Sequence, residues 1–202
     1  MHLLIVSDHG PTLSTQYVTR LASDCGMLSP KTVTTDDLSK MISNRLYRKP
    51  LIILAGDSTD RLRAFNKLRV YSDSITLARL IHPTAIISPY ANVSPGCVVS
   101  PGVIVNPCAC LGLCTTIYHN TIIEHDVSLH SFCTVGSSTV FGGAVTVEAG
   151  SYIGDRVSIN QKILIGENSF IDMDTAVIAS VPPQTSVRGV PGKPYKSVTP
   201  KA

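Results

Sequence analysis

The stretch NTIIEHDVSLHSF, residues 120–132, holds the side chains best suited to proton transfer. His125 stands between Glu124 and Asp126, and His130 follows it. A free imidazole has a pKa of about 6.5, so near neutral pH it can take a proton from an attacking amine or hydroxyl. A carboxylate at the other ring nitrogen fixes the tautomer and supports the imidazolium. His125, flanked by two acids, is therefore a candidate for such chemistry. The competing reading makes His125 one polar rung of a repetitive wall. What positions the pair decides between them.

The positioning element is a repeat. Stepping by six from Ile87 gives Val93, Val99, Val105, Leu111, Ile117, Ile123, Leu129, Val135, Phe141, Val147, Ile153, Ile159, Ile165, Ile171 and Val177, all apolar. Two residues before each stands a small or β-branched side chain, among them Ala85, Cys97, Thr115, Thr121, Cys133, Thr139, Ser151 and Ser169. Period six is neither helical nor simple strand alternation. It fits short extended segments separated by turns, each burying one bulky and one small residue. Three segments close a triangular coil of 18 residues, and coils stack at the strand spacing of about 4.8 Å. Glycine follows the apolar residue at Gly112, Gly136, Gly142, Gly154 and Gly166. In this register His125 sits two residues past buried Ile123, at a corner, with Pro107 and Gly143 above and below it.

The N-terminal part alternates differently. Residues 3–7, 31–35 and 50–57 read as strands; 12–25, 36–46 and 58–67 read as helices. Such alternation predicts a small, Rossmann-like parallel α/β domain. The predicted division is an α/β domain at 1–80, a β-solenoid at 81–180 and a C-terminal tail at 181–202.

Composition limits the function classes. Charged residues are 15%, aromatic residues 5% and Trp is absent, a profile suited to a β-solenoid. A net charge of +3 gives no footprint for nucleic acid. The first residues, MHLLIVSDHG, carry no basic segment before an apolar core, and no apolar run approaches the roughly 18 residues of a membrane span. The expectation is a soluble, cytoplasmic protein. The six cysteines read as reduced thiols packed as small hydrophobes. Cys97 and Cys133 lie two coils apart, too far for a disulfide.

The segments LIHPTAIISPYANVSPG, NTIIEHDVSL and VRGVPGKP, in this order behind a small α/β domain, resemble bacterial sugar acetyltransferases. That group of hexapeptide-repeat acyltransferases includes sialic acid O-acetyltransferases and UDP-4-amino-sugar N-acetyltransferases. The resemblance covers essentially the whole chain. It implies a left-handed parallel β-helix, a homotrimer with active sites between subunits, acetyl-CoA as co-substrate, and a sugar or nucleotide-sugar acceptor held by the N-terminal domain. It makes His125 the general base and Asp126 its support. Thr134 stands where the family has a second histidine that contacts the acetyl group. The CoA column falls on Ser137, Asp155 and Met173, and the basic residues Arg188, Lys193, Lys196 and Lys201 follow it.

For the acceptor, the resemblance points to Asp8, His9 and Gly10 in the first loop, Asp36 and Asp37 after the second strand, and Gly56 after the third. Ile5 stands where a further glycine is usual, and Asp8 is an unfavourable neighbour for a pyrophosphate. The His125–His130 spacing also resembles hexapeptide-repeat carbonic anhydrases, which hold zinc with three histidines. Pro89 and Ser94 stand where the third would be needed, so no metal is expected. The function implied is N-acetylation of a nucleotide-linked amino sugar by direct transfer. O-acetylation of a sialic-acid-type sugar and a catalytically silent trimeric scaffold are the alternatives.

Overall fold

Every sixth residue from Gly96 to Asp174 turns a corner with positive φ, between 54° and 77°. Only three are glycine; the others include Cys108, Cys114, Asp126, Phe132, Ala144 and Lys162. None is β-branched, the class for which this conformation costs most. These corners are the joints of a left-handed parallel β-helix of about six turns. The computed structural model describes residues 3–8, 12–27, 30–44 and 50–198.

Two-residue strands between corners form three flat faces. The first face stacks Leu80–Ile81, Val98–Val99, Thr116–Ile117, Thr134–Val135, Tyr152–Ile153 and Phe170–Ile171. The second runs from Ile86–Ile87 to Ala176–Val177, and the third from Asn92–Val93 to Leu164–Ile165. Partners are 18 apart throughout, as the period requires. The second residue of each strand points inward, and Val105, Ile123, Phe141 and Ile165 are essentially inaccessible.

Polar residues at the small inward position are tolerated because each reaches a carbonyl of the next coil. Thr121 Oγ1 donates to the Gly136 carbonyl at 2.9 Å, Thr139 to Gly154 at 2.8 Å and Ser151 to Gly166 at 2.9 Å. Cys97 and Cys133 occupy the same rungs, their thiols donating to Gly112 at 3.1 Å and Glu148 at 3.3 Å. All six cysteines are free. Burial pushes the Cys97 thiol up to about 11 and those of Cys114 and Cys133 to about 12, so these three stay protonated at neutral pH. The glycines after the bulky residue serve close approach rather than positive φ. A Cβ on Gly112 would lie 2.5 Å from the backbone of His130.

The α/β unit is a four-stranded parallel sheet. Its strands are β1 (Leu3–Ser7), β2 (Lys31–Thr34), β3 (Leu51–Leu54) and β4 (Thr76–Leu77), ordered β2-β1-β3-β4. Its helices are α1 (Leu13–Asp24), α2 (Thr35–Ser43) and α3 (Ser58–Leu68). Each helix is started by a side chain that accepts a backbone N–H: Thr12 caps α1, Thr34 caps α2 and Asp57 caps α3. The sequence pattern anticipates three strands and three helices; β4 and the preceding 3₁₀ turn, Arg69–Ser74, carry no periodic signal and are not anticipated.

The sheet is buried on both sides, and both sides continue into the β-helix. Leu3, Ile5 and Ile53 pack with α1 and with Leu80 and Val98 of the first face. Leu4, Val6 and Ile52 pack with α2, α3, Cys114 and Phe132 at a β-helix corner. Phe65 of α3 meets Phe132 edge-on, with ring centroids 5.6 Å apart. The expected basic tail is described through Val198. Thr185–Arg188 adds to the first face beside Phe170–Ile171 and forms a hairpin with Lys193–Ser197. Lys201 lies outside the described residues. Among the described residues, no helix is long and apolar enough to cross a membrane.

Candidate active site

The chain order of the sheet fixes where a ligand can enter the α/β unit. The chain leaves β1 to one side for β2 and crosses to the other side for β3. The gap opens at the strand C-termini, beside Asp8 and Gly56, where open α/β sheets take ligands. Gly56 has φ +124°, and a Cβ there would lie 2.6 Å from the Asp60 side chain. Next to this opening, a cleft of about 470 Å³ separates the α/β unit from the first face. Ser14, Tyr17, Gly56 and Asp57 line one wall; His119, Thr134, Ser137 and Asp155 are on the other.

The cleft thus brings together residues that the sequence assigns to separate jobs: Gly56 from the acceptor loop and Thr134, Ser137 and Asp155 from the acyl-donor column. A second cavity, about 440 Å³, lies between Phe65, Leu68, Ile75, Pro95 and Leu113. Its lining is nearly all apolar, with Arg69 its one ionisable group, so it offers little for acyl transfer.

Arg61 joins the two walls, and the sequence reading misses it. It is 1% exposed, although it lies on a polar helix. Its Nη1 donates to the Gly56 carbonyl at 2.7 Å and its Nε to the Cys114 carbonyl at 3.0 Å. Nη2 donates to the Phe132 and Cys133 carbonyls at 3.0 and 3.1 Å and to Thr134 Oγ1 at 2.9 Å. Burial lowers its pKa, yet a guanidinium starts so high that it stays charged. The signal that could have found it is an arginine one turn into a helix that follows a Gly-Asp strand end.

An aromatic group also escapes the sequence reading. The Tyr17 hydroxyl donates to Ser100 Oγ at 2.7 Å and lies 3.4 Å from His119 Nε2. The Tyr17 ring packs against Tyr118 at 5.3 Å and edge-on to His119 at 5.6 Å. Burial raises the pKa of both tyrosines, which keeps them neutral donors. Tyr152 stacks on Phe170, with centroids 4.9 Å apart, below the same cleft.

The acceptor-side acids divide. Asp8 is nearly buried; it accepts from Lys67 Nζ at 2.6 Å and from Thr35 Oγ1 at 3.0 Å. Its charge is therefore compensated within the unit. The Asp8 hydrogen bond in turn raises the Lys67 pKa. Asp37 serves α2: its N–H donates to Thr34 Oγ1 at 3.0 Å and its carboxylate accepts the Thr34 hydroxyl at 2.8 Å. Asp36 is exposed in the same first turn. His9 and Gly10 lie outside the described residues.

Ser137, Asp155 and Met173, the column expected to meet CoA, stack at the edge between the first and second faces. The N–H of Arg156 donates to the Ser137 carbonyl, and that of Asp174 to the Asp155 carbonyl. Asp155 Oδ1 accepts the Ser137 N–H at 2.6 Å, so this carboxylate braces the corner. Met173 is exposed further along, beside Arg188 and Lys193 of the hairpin. Arg188 lies over the Tyr195 ring at 4.4 Å.

His125 and Asp126 form the expected pair, with Nδ1 and Oδ2 2.8 Å apart, and both side chains are more than half exposed. With Nδ1 donating to the carboxylate, Nε2 carries the free lone pair. That nitrogen lies over Gly143, where a Cβ would come within 2.6 Å. The pair occupies the edge between the second and third faces, whereas the cleft opens at the edge between the first and second. Within one chain the pair and the cleft flank the second face and do not meet. Among the described residues, no group of three or more His, Cys, Asp or Glu side chains is placed to hold a metal ion.

Solved structures share this architecture. A point mutant of perosamine N-acetyltransferase from Caulobacter crescentus, in complex with CoA and GDP-perosamine, superposes with a TM-score of 0.86 at 20% identity, covering 98% of each chain. The acetyltransferase domain of PglB from Neisseria gonorrhoeae, with acetyl coenzyme A, gives 0.85 at 19% identity over 96% of this chain and 98% of that one. WeeI from Acinetobacter baumannii gives 0.81 at 16% identity over 96% and 100%. At these identities the likeness shows the fold. No curated protein sequence matches the chain. Residues 75–185, more than half of the chain, match the family model of the GMPPB C-terminal domain, and the chain belongs to that family.

Proposed function

We propose that the protein is an acetyl-CoA-dependent N-acetyltransferase that acts on a nucleotide-linked amino sugar as a homotrimer. One observation carries the reading. The outward residues of the second face are Ile86, Ile104, Ile122 and Val140, then Ser158 and Ala176, an apolar stripe with Ile86 64% exposed and Val140 39% exposed. His125–Asp126 borders one side of that stripe and the cleft with Thr134 and Asp155 borders the other. Three copies packed around an axis along the stripe make a closed heterologous ring. In such a ring the His125 edge of each copy meets the cleft edge of the next. The two half-sites then form one site, repeated three times.

The chemistry follows from that junction. The acceptor nucleotide lies in the α/β opening between Asp8 and Gly56, and the exposed Asp36 serves its base; His9 and Gly10 follow Asp8 in sequence. Acetyl-CoA lies along the edge of Ser137, Asp155 and Met173. The sugar amine attacks the thioester carbonyl carbon while His125 Nε2 takes its proton. Asp126 stabilises the resulting imidazolium. As the C–S bond breaks, the CoA sulfur leaves and takes the proton from His125. No acetyl-enzyme forms. The solved proteins of this fold with bound CoA and GDP-perosamine support both substrate classes.

The test is a product assay. The protein is incubated with acetyl-CoA and, in turn, GDP-perosamine, dTDP-4-amino-4,6-dideoxyglucose, UDP-linked 4-amino sugars and sialic acids. Mass spectrometry is expected to show one added acetyl group on a nucleotide-linked amine. Acetylation of a sialic acid hydroxyl alone would move the reading to O-acetylation, and no product with any acceptor would favour a silent scaffold. Sedimentation is expected to give a trimer at micromolar concentration; a monomer there would remove the shared site.

A further inference from the structure

Thr134 lines the cleft, yet its side-chain oxygen already accepts a hydrogen bond from behind, from Arg61 Nη2 at 2.9 Å. A hydroxyl that accepts from a guanidinium keeps its own proton to give. Among the described residues, Thr134 Oγ1 makes no other hydrogen bond. The carbonyls of Gly56, Cys114, Phe132 and Cys133 take the remaining bonds of the guanidinium, so the fork is locked in orientation. All these partners are neutral oxygens. The Arg61 charge is thus held inside the protein without a hydrogen-bonded carboxylate and aimed at the back of Thr134. Charge in such a water-poor position acts strongly on charge that develops nearby.

We propose that Arg61 positions the Thr134 hydroxyl as the donor to the thioester oxygen during acetyl transfer. The proposal rests on the acetyl-transfer reading above. When the amine nitrogen bonds to the carbonyl carbon, the carbonyl π pair moves onto oxygen, and the Thr134 O–H and the charge behind it stabilise that oxyanion. The pair returns as the C–S bond breaks, and neither Thr134 nor Arg61 gives up a proton. Thr134 is then a catalytic residue, and Arg61 a positioning residue that acts through it.

The experiment uses the full chain, acetyl-CoA and whichever of GDP-perosamine, dTDP-4-amino-4,6-dideoxyglucose or a UDP-linked 4-amino sugar the wild type acetylates. Thr134→Val keeps the shape and removes the hydroxyl. It is expected to lower kcat by roughly 10²–10³, with the melting temperature and the KM for acetyl-CoA nearly unchanged. Thr134→Ser keeps the hydroxyl and is expected to stay within about tenfold of wild type, short of the loss of one oxyanion donor. Arg61→Lys is expected to lower kcat in the Thr134 background and not to lower it further with Val at 134, a cycle that isolates coupling. A Thr134→Val enzyme with wild-type kcat would overturn the proposal. So would equal loss in the Val and Ser variants, or an Arg61→Lys effect of equal size in both backgrounds. A wild type that acetylates none of the acceptors would overturn the acetyl-transfer reading and this proposal together; an active wild type with an unaffected Val variant would overturn this proposal alone.

Discussion

His125→Ala is expected to lower kcat for acetyl transfer by roughly 10²–10⁴ while trimer assembly and CoA binding persist. The separation of effects follows from exposure. Both members of the His125–Asp126 pair are more than half exposed, and an ion pair in water contributes little to stability. Removing the ring therefore leaves no buried gap and no orphaned partner. Asp126→Asn is expected to cost less than His125→Ala. Asp126 has φ +60°, and asparagine accepts that conformation readily, so the substitution removes the charge without straining the corner. The amide oxygen can still hold the Nδ1 proton, but it supports an imidazolium less well. His130→Ala is expected to do little: it follows buried Leu129 on the third face, away from the second-face junction. Steady-state rates with the acetylated acceptor check the series. Wild-type turnover in a trimeric His125→Ala protein would make His125 a rung of the wall.

The β-helix was legible because its constraint repeats. A residue such as Ile123 faces inward for the same reason as Val105 and Phe141, and each coil restates the period. The His125–Asp126 pair was legible because it depends only on adjacent residues and a corner that the period locates. Its relation to Thr134 was less so. The two lie nine residues apart in sequence, yet the coil turns through the third face between them and sends them to different edges. In the proposed trimer, the apolar stripe between those edges brings them together.

The cleft wall was the least legible part. His119 falls at an ordinary corner position and gains meaning only when Tyr17 of α1 is laid beside it. Asp8 reads as a liability until Lys67, far along the chain, is placed 2.6 Å away. Asp37 reads as a ligand, and its carboxylate also accepts the hydroxyl of Thr34, the cap of α2. These pairings depend on how one unit docks on another, and docking leaves no periodic trace. Arg61 is the extreme case, since a polar pattern on α3 predicts exposure for it.

Arg61→Ala is accordingly expected to destabilise the protein by roughly 3–5 kcal/mol. The carbonyls of Gly56, Cys114 and Phe132 would lose the donor that reaches them, and each buried acceptor left unpaired costs about 1–3 kcal/mol. The void left by the guanidinium beside Cys114 and Phe132 adds to the loss. Arg61→Lys is expected to recover part of it, because an ammonium supplies donors from one point and cannot span carbonyls on two sides as the fork does. The damage should be local. Gly56 belongs to the α/β unit, while Cys114 and Phe132 belong to the β-helix, so the lost bonds all cross or brace the junction. The β-helix keeps its own core and its ladders between coils. Denaturation of Arg61→Ala should therefore show the α/β unit unfolding first, in a transition separate from the β-helix. Fluorescence from Tyr17 and its neighbours, read against far-ultraviolet circular dichroism, can resolve the two steps. If Arg61→Ala unfolds at the wild-type denaturant concentration in a single step, the arginine does not hold the two units together. The positioning of Thr134 would then need another source.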